Sequence, residues 1–170
     1  MADNNNDSIP HHSDSCLWQQ PEVIRWSQIL AQSYRRLLKK ELSPSNTPEE
    51  LAQALFYAPF VLVSHGTQVD PILNYGNQTA LQLWSLSWEE LTKTPSRLTA
   101  EPVNREDRAA MLKQAATQGY IDNYRGVRIS STGKRFLIER AIIWNLKDEY
   151  DRPCGQAAGF AHWTWLDSRS

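Results

Sequence analysis

The sequence predicts an α+β protein: a five-stranded antiparallel sheet with short helices on one face, preceded by an amphipathic N-terminal helix. Three observations predict it. Two short runs rich in β-branched and aromatic residues, Phe60-Val61-Leu62-Val63-Ser64 and Ile72-Leu73-Asn74-Tyr75, come first, separated by turn residues. Capped helical patterns then fill the stretch from Asn77 to Gly119. The C-terminal third reads as three further strands.

The elements follow in order. From Met1 to about Gln20 the chain is mostly Asn, Asp, Ser, His and Gln, which cannot bury enough surface to offset ordering entropy. A disordered polar tail is expected over residues 1–20, with His11 and His12 as solvated imidazoles. Pro21 opens a helical pattern reaching about Leu42, in which Val23, Trp26, Leu30, Tyr34, Leu37 and Leu38 recur at spacings of three and four. That stripe either packs on the domain behind it or pairs with another subunit's helix. Helix and linker account for residues 21–46, and the domain proper for 47–168.

Ser43-Pro44-Ser45-Asn46 breaks the helix, and Thr47, Pro48 and Glu50 supply an N-cap, a first-turn proline and a capping-box acid for a second one. The first two strands form a hairpin across His65-Gly66 and Asp70-Pro71. Asn77 caps a short helix carrying Ala80, Leu81 and Trp84, and Ser87 with Glu90 makes a second capping box. After an irregular stretch between Pro95 and Pro102, Asn104 precedes a longer helix through Met111, Leu112 and Ala115, which Gly119 ends. Strands over 123–130 and 135–145 flank Thr132-Gly133, and a last strand covers 156–166.

Composition removes several function classes. With 18 Lys+Arg against 19 Asp+Glu there is no basic excess to gather phosphates, so direct nucleic-acid binding is not expected. The longest nearly apolar run, Ala54 to Val63, is far short of the roughly 20 residues that cross a bilayer. No membrane partner is expected. The N-terminus lacks the basic start and apolar stretch of a secretory signal, so cytoplasmic residence is the expectation. Cys16 and Cys154 provide neither a disulfide framework nor a CxxC site. Signatures for nucleotides and metals (GxGxxG, GxxxxGK[ST], HExxH, paired cysteines) are missing, so the sequence names no cofactor.

Four blocks carry a resemblance: APFVLVSHG (58–66), DPILNYGNQTALQLW (70–84), PSRLTAEPVNREDR (95–108) and YIDNYRGVRISSTGKRF (120–136). Together with the element order they resemble the MEKHLA domain, a PAS-like family found as small bacterial and cyanobacterial proteins and at the C-terminus of class III plant homeodomain leucine-zipper regulators. The resemblance covers about Gln53 to Leu166. It implies a PAS-like fold and a sensory or regulatory module, and it names no ligand. Photosensing relatives of this fold place a reactive cysteine after the first short helices, and haem-binding relatives often use a histidine on the connecting helix. Residues 91–102 hold no Cys and residues 104–119 no His.

The residues themselves suggest where a ligand would sit. If Thr132-Gly133 is a two-residue turn pairing Ser131 with Lys134, then Ile129 faces Phe136, Val127 faces Ile138 and Arg125 faces Arg140, on one face shared with Ile142 and Trp144. Two opposed guanidinium groups need an acid between them. The functional reading is an anionic or carboxylate small molecule gripped by the pair; the structural alternative is a salt bridge to Glu101, Asp122 or another acid. Trp84, Leu91 and Leu112 are candidate walls or ordinary core. His65, at a strand end, would orient a ligand or hydrogen-bond to backbone.

No Ser or Cys stands in a nucleophile context, so a non-enzymatic module is expected. A small enzyme using His65, Asp70 or Glu101 for acid–base work and a ligand-free adaptor with a solid core are the alternatives. Partner contacts, with a second copy or a regulatory protein, are expected at Trp26, Leu30, Tyr34 and Leu37 of the helix and at Trp163 and Trp165 of the last strand.

Overall fold

A computed structural model describes residues 14–102 and 105–166. The helices are α1 (Pro21–Leu38), α2 (Pro48–Phe56), α3 (Gln78–Trp84), α4 (Trp88–Leu91) and α5 (Arg105–Gln118). The strands are β1 (Val61–His65), β2 (Leu73–Gly76), β3 (Tyr120–Ile129), β4 (Arg135–Lys147), β5 (Pro153–Phe160) and β6 (His162–Trp165). All pair antiparallel in one sheet of order β2-β1-β5-β4-β3, with β6 on β4. Cross-chain placement of β5 between β1 and β4 means the last long strand closes the centre of the sheet.

The N-caps read from sequence form as expected, except that Glu50 accepts from Asn46 N at 3.1 Å rather than closing a capping box on Thr47 N. Thr47 accepts from Glu50 N at 3.1 Å, Asn77 accepts from Ala80 N at 3.1 Å, and Ser87 and Glu90 close a reciprocal capping box. Gly119, at φ +84, ends α5. The start of that helix at Asn104 lies outside the described residues, as do His11 and His12.

Four local expectations are corrected. The polar tail expected through Gln20 turns into a 3-10 helix over Asp14–Gln19, because Leu17 and Trp18 pack against Phe56, Leu73, Leu81 and Leu91. Helix α1 stops at Leu38 rather than Leu42, since Lys39 takes a left-handed conformation and turns Leu42 back onto the sheet. The last strand is two: β5 and β6 lie along β4 in one register but break at Ala161, opposite Arg140.

The fourth is the β3–β4 register. Ser130, not Ser131, faces Lys134 (Ser130 N donates to Lys134 O at 2.8 Å), leaving a three-residue loop with Gly133 at φ +82. The pairing slides by one residue, so Ile129 meets Arg135, Arg128 meets Phe136, and Gly126 rather than Val127 meets Ile138. A left-handed residue inside β4, Arg140 at φ +54, then exchanges the strand's faces. Phe136, Ile138, Ala141 and Ile143 enter the core under α3 and α5, while Ile142, Trp144 and Leu146 turn to the opposite face.

That opposite face is where α1 sits. Leu30, fully buried, packs with Leu62, Tyr75, Trp144 and Leu146. Trp144 donates its indole N–H to Leu30 O at 3.2 Å and meets Tyr34 edge-on at 5.0 Å, and Trp26 donates to Ser64 Oγ at 2.9 Å. The stripe of Trp26, Leu30, Tyr34 and Leu37, expected either to pack internally or to meet a second subunit, is covered by the chain's own sheet. The protein is three layers: α1, sheet, and α3 to α5.

Among the described residues one buried group is left over. Tyr75 is fully buried beneath α1, and no described residue partners its hydroxyl in hydrogen-bonding geometry. Burial raises the phenol pKa well above its ordinary value, with Ser27 opposing the shift. The unfolded chain therefore ionises this group from about pH 10 while the folded protein keeps it neutral, so its share of stability is full below that pH and falls as the pH rises further. Tyr75→Phe is expected to be neutral or to stabilise by up to about 1 kcal/mol near pH 7, and to flatten the alkaline loss. Urea unfolding at neutral and alkaline pH checks both; a clear neutral-pH loss in the variant would mean the hydroxyl has a partner after all.

Candidate functional site

The space between α5, the 96–102 segment and strands β3 to β5 is the candidate site. Its inner part is a cavity of about 100 Å³ lined by His65, Trp84, Thr99, Arg128, Gln156 and Phe160 among others. A groove of about 360 Å³ under α5 continues from it, walled by Met111, Ala115, Ile121 and Tyr124. The two share Ser96, Ala100, Arg128, Ile143 and Gln156, so Arg128 stands where cavity and groove meet.

Sequence builds each wall. On β5, Gln156, Ala158 and Phe160 face inward by strand alternation, and the alanine leaves room beneath α5. Gly155 beside them admits no side chain, because an added Cβ would collide with the His65 carbonyl. Trp84 closes the inner end, buried, edge-on to Phe136 at 5.4 Å and to Phe160 at 6.1 Å, with its indole directed to Thr99 O at 3.4 Å. The outer wall is weaker. Among the described side chains of α5 only Ala115 is buried, and Leu112, expected as a pocket wall, does line the groove but is 61% exposed. Leu91, the other expected wall, belongs to the separate cluster around Phe56 and Leu73.

The polar groups are few. Arg128 lies over the Tyr124 ring at 5.3 Å and approaches its hydroxyl at 3.4 Å, with no acid paired to it among the described residues. Gln156 donates to Asn145 Oδ1 at 3.1 Å, and His65 Nδ1 lies 2.8 Å from Gly66 O. An unneutralised planar fork among aromatic and apolar walls can hold a carboxylate or another oxyanion.

The expected pair of arginines does not exist. Arg125, exposed, bonds Glu139 at 3.1 Å, the salt-bridge alternative with a different acid. Arg140, also exposed, is carried away by the slipped register and its own left-handed turn, and Trp144 goes to the α1 side with it. Phe136, Ile138 and Trp84 do share the inward face, and His65 lines the inner cavity. The arginine that faces the space is Arg128, which sequence reasoning missed. The signal was present: a three-residue loop ending at Gly133 sets Arg128, in place of Ile129, opposite Phe136 on the inward face.

The acid–base set is dispersed. Asp70 is paired with Arg97 and Glu101 with Arg135, and of the three only His65 lines the inner cavity. Trp163 and Trp165 fall on one face as alternation requires. Trp163 packs at 6.0 Å from Phe160, and Trp165, 49% exposed, lies at 5.3 Å from Phe136. Among the described residues no cluster of His, Cys, Asp and Glu could hold a metal ion, and no helix is long and apolar enough to cross a membrane.

Solved structures share this architecture. The PAS domain of a protein from Colwellia psychrerythraea aligns over 68% of this chain and 92% of its own, with a TM-score of 0.54 at 17% identity. The light-state dimer of the fungal blue-light photoreceptor Vivid aligns over 79% and 90%, with a TM-score of 0.53 at 14% identity. At such identities the likeness shows the fold. Homeobox-leucine zipper protein ATHB-15 of Arabidopsis thaliana is 22% identical over 148 residues, and HOX29 of Oryza sativa subsp. indica 22% over 157. Each alignment takes in 86% of this chain but 18% of the plant protein, so the chain spans under a fifth of those relatives. The MEKHLA domain matches residues 24–165, from α1 to the end of β6, and the chain belongs to the MEKHLA domain family.

Proposed function

We propose that this PAS-like sensory or regulatory module works by holding a small planar anion, a carboxylate by preference, against Arg128. The observation that carries the reading is the placement of that guanidinium at the junction of the inner cavity and the groove, without a paired acid among the described residues. The inner cavity of about 100 Å³ is smaller than the roughly 300 Å³ of ordinary ligand sites, but the adjoining groove brings the space into range. Helix α5, with so little buried, is the wall that shifts to admit and enclose the ligand. Enclosure by α5 would alter the surface that a second copy or a regulatory protein meets, and half-exposed Trp165 lies on that side of the sheet.

Native mass spectrometry of freshly purified protein is expected to show a retained small mass, and benzoate is expected to raise the melting temperature with its concentration. Arg128→Gln should weaken benzoate binding by roughly tenfold or more, the worth of one charge-assisted bond. Absence of both a retained mass and a benzoate-dependent shift in the wild-type protein would refute the reading and favour an adaptor.

A further inference from the structure

The α1 face of the sheet carries a second groove, of about 300 Å³, where α1 ends. Its floor is Ile142 and Trp144 of β4 beside Gly159 of β5, and Tyr34, Leu42 and Phe60 wall it. Gly159 keeps that floor open, since a Cβ there would already touch the Trp144 ring at 3.4 Å. The lining is apolar except at one rim, where Arg140 and His162 stand.

Arg140 is the unusual member. Every other arginine whose side chain is described is ion-paired, save Arg128 on its tyrosine. Arg140 has neither an ion pair nor a hydrogen bond among the described residues. Its backbone is held at φ +54, a conformation unfavourable for a residue with a side chain, opposite the break at Ala161. A guanidinium with no partner among the described residues, carried on a strained backbone at the end of an apolar trough, is complementary to an amphiphile. The hydrocarbon leaves water along the half-buried Ile142, Phe60 and Leu42, and the charged head meets the fork.

We propose that this groove binds a medium-chain acyl carboxylate, with its chain over Ile142 and Phe60 and its head on Arg140. Such an occupant would brace α1, because Tyr34 and Trp144 are shared between the groove and the helix contact. The site lies across the sheet from the Arg128 cavity and does not depend on it.

Calorimetric titration with decanoate, kept below its aggregation concentration, tests the proposal, with decanol as the uncharged analogue. Decanoate is expected to bind wild-type protein and to bind Arg140→Gln roughly tenfold more weakly; decanol should bind the wild type about as poorly as decanoate binds that variant. Arg140→Gly is the folding control, because glycine accepts the positive φ, and it should lose the same affinity. Arg128→Gln should bind decanoate as the wild type does. No decanoate binding, equal affinity for decanol, or loss in Arg128→Gln rather than in the Arg140 variants would each overturn the assignment. Self-association that Arg140→Gln abolishes, without decanoate binding, would give the groove to a second copy and equally overturn it.

Discussion

Asn77→Ala is expected to destabilise the protein by about 3–5 kcal/mol, far more than the ~1 kcal/mol of a lost helix cap. The side chain is fully buried and makes four hydrogen bonds. Its oxygen accepts from Ala80 N and Leu62 N, both at 3.1 Å, and its nitrogen donates to Leu55 O at 3.0 Å and Phe60 O at 2.8 Å. One amide therefore ties the end of α2 and the entry to β1 to the start of α3. Removing it takes the side-chain partner from Ala80 N, Leu62 N and Phe60 O in a dry interior, where each unmade bond carries a desolvation cost, while Leu55 O keeps the Ala58 N–H at 3.4 Å. Asp separates the roles. It caps helices as well as Asn does, so a capping role alone would make Asn77→Asp nearly silent. With carbonyls of Leu55 and Phe60 facing a carboxylate instead of an amide N–H pair, Asn77→Asp should cost almost as much as Ala. Urea midpoints at constant slope would measure both; a mild Asp variant would reduce Asn77 to a cap.

Trp144→Ala is expected to cost about 3–5 kcal/mol, as large aromatic truncations in cores do, and to loosen α1 specifically. Trp144 is 1% exposed and is the β4 side chain on which α1 rests, through Leu30 O and the Tyr34 ring. Its loss opens a void between layers that the sheet cannot close. Trp144→Phe keeps an aromatic body and gives up the indole N–H, so its cost should be nearer 1–2 kcal/mol. Limited proteolysis reports on α1: cleavage between residues 39 and 46 should accelerate in the Ala variant well before the sheet unfolds. Global unfolding with no gain in cleavage there would mean that α1 is held by other contacts.

How much of this was legible follows from particular residues. Thr47, Asn77 and Ser87 with Glu90 announce helix starts because capping is a contact between near neighbours, complete within three residues of chain. The inner face of Phe136 and Ile138 was legible for the same reason, since alternation is local. Arg125 and Arg140 were misplaced because opposition across strands depends on the loop, and Ser131-Thr132-Gly133 supports either a two- or a three-residue turn. The amphipathic stripe of α1 was plain, but what covers it depends on where β4 turns its own side chains.

The amino-acid order by itself determined the succession of helices and strands, the helix caps and the family, since each rests on short-range chemistry. The tertiary structure decided the register and the sides of the sheet. Ser131 donates its backbone N–H to Trp84 O at 2.9 Å and its hydroxyl to Ser85 O at 2.7 Å, so the β3–β4 tip is pinned to the end of α3, 46 residues away. That distant anchor selects the three-residue loop. That loop places Arg128 under α5, and the left-handed turn at Arg140 divides β4 between two cores and leaves Arg140 beside α1.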